Sequence, residues 1–138
     1  PLSVGVGSSR TAFADAGRSH KPSVTVNAHV HVAPTAQEAR DHLGICQFPF
    51  QKWVFSKISG QAPEDVVLPP HITEFDDPDC AIISGSPEEA LDRIERLMEC
   101  CEFDRLVYQG DYGGQPFPLV KRSLDLFASH IIPAISNR

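Results

Sequence analysis

Residues 23–44 read "SVTVNAHVHVAPTAQEARDHLG", and this stretch decides what kind of fold the chain builds. Val24, Val26, Ala28, Val30 and Val32 alternate with Thr25, Asn27, His29 and His31. Successive side chains of an extended chain point to opposite faces, so the alternation predicts a strand with one apolar face and one polar, uncharged face. That second face suits a pocket or a barrel interior as well as solvent. Thr35 and Glu38 follow with the spacing of a capping box, and Gly44 is a natural helix stop. A strand that runs straight into a capped helix is the first half of a βα unit.

The same grammar returns downstream in "AIISGSPEEALDRIERLMECC", residues 81–101. Ser86 is the N-cap, Pro87 takes the first helical position and Glu89 completes a second capping box. Ala90, Leu91, Ile94, Leu97, Met98 and Cys101 then fall three or four apart, which predicts one buried stripe. Glu88 and Glu89 lie where a helix dipole favours negative charge, so they read as helix-start chemistry rather than as a general acid and base. "FDRLVYQG" (103–110) predicts another strand, with Leu106 and Tyr108 on one side and Val107 and Gln109 on the other. Leu119, Val120, Leu124, Phe127 and Ile131 predict a last amphipathic helix that Pro133 helps to end. The alternation of strand and helix places the chain in the α/β class.

Two segments resist this reading. Residues 1–22 show little period, and "TAFADAG" (11–17) suggests one short helical turn. Residues 45–80 combine the aromatic run "FPFQKWVF" with prolines from Pro49 to Pro78, which predicts a Pro-rich irregular insertion or lid within a single domain, 1–138. Trp53 and its aromatic neighbours read as buried packing.

Bulk composition excludes several classes. The net charge of −6 argues against nucleic acid and against an anionic membrane surface. No apolar stretch approaches the roughly twenty residues of a membrane span. The first ten residues lack the layout of a signal peptide, and the missing initiator methionine is what a trimmed chain would show. Cys46, Cys80, Cys100 and Cys101 form no CxxC pair, so reduced thiols in a cytoplasm are expected, with no metal site.

Between the last predicted strand and helix lies "QGDYGGQ", residues 109–115. Gly113 and Gly114 read either as plain turn chemistry or as bare backbone that lets a ligand approach closely. Ligands of parallel α/β folds collect beyond the carboxyl ends of the strands, and this loop lies at such an end.

Read as one string, residues 84–135 resemble the C-terminal end of the luciferase-like, flavin-dependent monooxygenases. Gly85 to Glu89 match that family's helix start, Asp111 to Gly114 its acidic, aromatic, double-glycine loop, and Arg122 to Phe127 with Pro133 its last helix. "NAHVHVAPTAQEARD" (27–41) is similar to the strand and helix start upstream of that region. The resemblance implies an eight-stranded (β/α) barrel that holds reduced flavin and activates dioxygen on a small organic substrate, often with a separate flavin reductase. A complete barrel takes about 250 residues, so the fold expected here is a partial (β/α) TIM-barrel-like unit. The resemblance further implies FMN as cofactor. Gln109, Asp111, Tyr112, Gly113 and Gly114 would line the flavin pocket, and His29 or His31 would be a candidate catalytic residue. The open sheet edges would be covered by a missing N-terminal half-barrel or by a second copy. The alternative is a non-catalytic barrel remnant acting as a dimeric binding or assembly module.

Overall fold

A computed structural model describes residues 2–20, 22–74, 80, 82–111 and 114–136, with side chains from residue 7 onward. The elements run α1 (Leu2–Asp15), β1 (Thr25–Val32), α2 (Ala36–Ser59), a 3₁₀ turn (Pro63–Asp65), α3 (Pro70–Thr73), β2 (Ile82–Gly85) and α4 (Pro87–Cys101). They continue with β3 (Arg105–Gln109), α5 (Phe117–Leu126), a π-helical turn (Phe127–Ile131) and α6 (Ile132–Ser136). The three strands form a parallel sheet in the order β2-β1-β3. β2 pairs with the carboxyl half of β1, and β3 pairs with its amino half. The sheet is small and not closed, consistent with the expected partial α/β barrel unit.

Strand order decides where the helices go. The chain leaves β1 for β2 and then passes back across β1 to reach β3. Right-handed crossovers made in opposite directions put their helices on opposite faces of the sheet. α4, the π turn and part of α5 accordingly cover the apolar face, where Ala28, Val30, Val32 and Ile83 pack with Ala90, Ile94, Leu97, Phe127 and Ile131. Each Val, Ile, Leu or Phe side chain among these contributes about 1.5–3 kcal/mol on full burial, so this layer is the main source of stability. α2 covers the carboxyl half of the other face, with Leu43 against Ile82, Ile72 and Cys80.

Local chemistry explains most of the element ends. Ser86 Oγ accepts from Glu89 N at 3.3 Å and the Glu89 carboxylate accepts from Ser86 N at 3.0 Å, the full capping box that the sequence predicts. Thr35 Oγ1 accepts from Glu38 N at 3.2 Å, but the Glu38 carboxylate takes Arg122 of α5 at 2.9 Å. Gly85, at φ 145°, has no room for a side chain, because a Cβ would lie 2.4 Å from Glu89 Oε2.

Several expectations need correction. Gly44 does not stop α2, which runs through Gly44 and Pro49 to end at Gly60 (φ 74°), so residues 45–59 are helical rather than irregular. The buried positions Ala39, Leu43, Gln47 and Gln51 are spaced by four, and that stripe holds the helix against the sheet despite the proline. Trp53 is 52% exposed, stacked on Phe50 and approached by Lys57, whereas Phe48, Phe50 and Phe55 pack at the edge of the smaller core cluster. Residues 2–15 form a whole helix and not a single turn, and α1 is tied to the end of α4 by the Arg10–Glu102 ion pair. Pro133 does not end the last helix: the π turn precedes it and α6 carries on to Ser136. The π turn also sets the buried stripe as Ser123, Phe127 and Ile131, leaving Leu124 48% exposed.

Candidate functional site

Residues paired across a parallel sheet share a face, so the register draws the polar surface directly. Gln109, His29 and Ile82 form one row, His31 and Ser84 lie one step toward the carboxyl end, and Asn27 and Val107 lie one step back. Asn27 and Thr25 are exposed, His29 is half-buried and His31 is buried. Asn27 Nδ2 donates to Gln109 Oε1 at 3.2 Å, which steadies the Gln109 side chain at the strand end.

The two histidines have different surroundings. His31 Nε2 lies 3.1 Å from His42 Nδ1 of α2, with the rings edge to face at 5.2 Å. Burial, aided by repulsion from His42, lowers the His31 pKa to about 4. Burial also lowers that of His29. Both rings are therefore neutral near pH 7 and can accept a proton or hydrogen bond, but neither is a standing acid. His31 is sealed beneath α2, whereas His29 lies in the row with Gln109, where the sheet face is more open.

The loop after β3 is shaped by its neighbours. A Cβ on Gly110 would meet the Tyr108 ring at 2.1 Å, so the bare backbone there makes room for the chain's own tyrosine. Gly114, at φ 81°, has open space around it and is a conformational glycine. Asp111 is exposed at the loop's start, and the loop positions Tyr112 and Gly113 lie outside the described residues. Gln115 closes the loop that the sequence singled out, although it is not among the expected pocket-lining residues. Its amide nitrogen and oxygen are both buried without a hydrogen-bond partner among the described residues.

Behind this face the carboxyl ends of β1 and β3 are tied to α5. Val32 N donates to Ser123 Oγ at 2.8 Å, and the Tyr108 hydroxyl meets the same oxygen at 2.9 Å. The Tyr108 ring packs edge-on against Phe127 at 4.9 Å. Burial raises the tyrosine pKa against the opposing pull of the Ser123 bond, so the phenol stays protonated. The four cysteines are free thiols, and the buried Cys101 thiol is pushed up to about 11 by burial and by its contact with Cys100. Among the described residues, no helix is long and apolar enough to cross a membrane.

Comparison with solved structures places this architecture. The chain matches the crystal structure of monooxygenase RslO1 from Streptomyces bottropensis with a TM-score of 0.74 and 21% identity, over 97% of this chain and 38% of that one. It matches a type II Baeyer-Villiger monooxygenase with a TM-score of 0.56 and 23% identity, over 88% of this chain and 37% of that one. That structure is the oxygenating constituent of 3,6-diketocamphane monooxygenase from the CAM plasmid of Pseudomonas putida, in complex with FMN. The chain thus has the fold of part of such a monooxygenase and spans less than two fifths of the length of either. No protein-family model matches the chain, and neither does any curated protein sequence.

Proposed function

We propose that this chain is the C-terminal portion of a flavin-dependent monooxygenase that oxidises a small organic substrate with dioxygen and reduced FMN. The observation that carries the reading is the fold likeness over 97% of the chain to a monooxygenase. The likeness to an FMN-bound Baeyer-Villiger monooxygenase supports it. Uncharged polar groups on this sheet face fit the cofactor: Asn27 and His29 along β1 and Gln109 at the carboxyl end of β3 offer donors and acceptors of the kind a flavin ring edge presents. The buried amide of Gln115, without a partner among the described residues, is a further group of that kind. These residues would hold the ring against one wall of the site, Asp111 and Tyr112 would line it, and Gly113 and Gly114 would let backbone approach the flavin. Reduced flavin supplies the electrons that activate dioxygen, while His29, neutral by burial, would accept a proton or orient the oxygen-bearing group.

Three strands make one wall, so the opposite wall would come from further barrel strands or from a second copy, with electrons from a flavin reductase. Free thiols suit a cytoplasmic setting. The test is FMN titration by flavin fluorescence, followed by oxygen uptake with a reductase and NADH, on this chain and on any longer product of its gene. Saturable flavin binding that weakens about tenfold in Gln109→Ala and His29→Ala supports the reading. Protein that stays colourless and takes up no oxygen in either form leaves only a scaffold.

A further inference from the structure

The four thiols are not equivalent, because two of them meet. Cys100 and Cys101 are the last two residues of α4, and their sulfurs lie 3.2 Å apart. Cys100 is exposed and Cys101 is buried, so one sulfur faces solvent and the other backs it. The backbone just beyond the pair is anchored. Glu102 caps the helix at φ 43°, and Arg10 of α1 reaches both its carboxylate and its carbonyl.

Geometry restricts what such a pair can do. Adjacent Cα atoms across a trans peptide are about 3.8 Å apart, below the range of about 4.4–6.8 Å that disulfides favour. Closing the two sulfurs onto each other would strain the helix end, whereas an atom placed between them requires no such closure. Two bonds of about 2.3 Å, a usual metal–thiolate length, reach both sulfurs from one centre at an angle of about 90°. That angle suits a pyramidal trivalent centre. A tetrahedral ion such as zinc would spread two thiolates to about 3.8 Å and require further ligands. Among the described residues, no group of three or more His, Cys, Asp or Glu side chains is placed to hold an ion.

We propose that Cys100 and Cys101 form a dithiol site that captures trivalent arsenic, as arsenite or as an organic arsenoxide. The arsenical brings its own third substituent, so two sulfurs complete it. With an arsenoxide R–As=O, the exposed Cys100 sulfur adds first and Cys101 then displaces the resulting hydroxyl. Two As–S bonds form, the bonds from arsenic to oxygen break, and the oxygen leaves as water with the two thiol protons. Arsenic stays trivalent, so the step takes no oxidant or reductant. Closing the ring makes the second bond intramolecular, which separates this pair from a single thiol such as Cys46. The proposal does not depend on the monooxygenase reading.

Phenylarsine oxide added to the full chain, kept reduced with a phosphine, tests it by mass spectrometry. The expected product is one phenylarsenic group per chain that withstands excess 2-mercaptoethanol and leaves with 2,3-dimercaptopropanol. Alkylation in urea and peptide mapping should then find Cys46 and Cys80 alkylated, with Cys100 and Cys101 blocked. Cys100→Ser and Cys101→Ala should each weaken retention against the monothiol about a hundredfold, and Cys46→Ser should leave it unchanged. Cys100 is exposed, so its variant should keep the parent thermal midpoint and decides the matter even if Cys101→Ala fails to fold. An adduct that the monothiol strips from the parent chain, or one that maps to other cysteines, overturns the proposal. If such a chain joins Cys100 to Cys101 in dilute hydrogen peroxide, the pair is a redox couple instead.

Discussion

Single side chains fix the carboxyl end of this sheet. Ser123 Oγ takes the Val32 N–H and meets the Tyr108 hydroxyl, so one oxygen joins two strands to a helix. Removing it orphans a buried backbone donor, whereas removing the phenol leaves the Val32–Ser123 bond intact. Ser123→Ala should therefore cost about 2 kcal/mol and Tyr108→Phe about 1 kcal/mol, read from urea midpoints at constant m-value. Equal costs would mean that the Val32 bond contributes little. His31 gives a pH signature. Its folded pKa is about 4, below the unfolded value of 6.5, so the unfolded chain binds the extra proton between those values. Stability is then complete above pH 6.5, falls as pH drops toward 4, and loses no more from this group below that. The full loss is about 3 kcal/mol, at roughly 1.4 kcal/mol per pH unit. In His31→Leu the acid slope of unfolding free energy should flatten over that window; an unchanged slope would assign it to other groups.

At the scale of elements, what could be read in advance followed from whether a residue's type agreed with its surroundings. The alternation in β1 and the stripe of α4 were legible because apolar residues fill the buried positions and capping residues mark the start. α2 was legible only at its start. Gly44 and Pro49 are breakers by local preference, and its buried stripe passes through Gln47 and Gln51, which hide the period. Tertiary packing against β2 and α3 outweighed both signals. Gln47 is fully buried, and neither of its amide atoms has a partner among the described residues. Gln47→Met keeps the shape and removes the desolvated amide, so the thermal midpoint should rise by an amount equivalent to about 1 kcal/mol. A lower midpoint would show that the amide is bonded.

Across the whole molecule, contacts between elements remote in sequence set the architecture. Arg122 and Glu38 link α5 to the first turn of α2, helices on opposite faces of the sheet, at 2.9 Å. The pair is open to solvent, so Arg122→Ala should cost under about 1 kcal/mol at low salt and less in 1 M sodium chloride. A larger, salt-insensitive loss would mean that the pair fixes how the two helices are placed. The candidate site divides along similar lines. The loop and the polar strand face could be found from turn residues and alternation, but the separation of His29 from the sealed His31 could not. Gln115 ends the loop that the sequence singled out, but the burial of its amide could not be read from residue type, because it depends on what the rest of the chain brings beside it.

The sequence alone determined the α/β class, the alternating faces of the first strand and the capped start of the fourth helix, since these follow from interactions among residues a few positions apart. Tertiary structure alone decided the strand order, and with it which face α2 covers, how far that helix runs and which histidine is sealed. Those outcomes depend on the direction of each crossover and on packing between segments dozens of residues apart, where burial outweighs the local preferences of glycine, proline and glutamine.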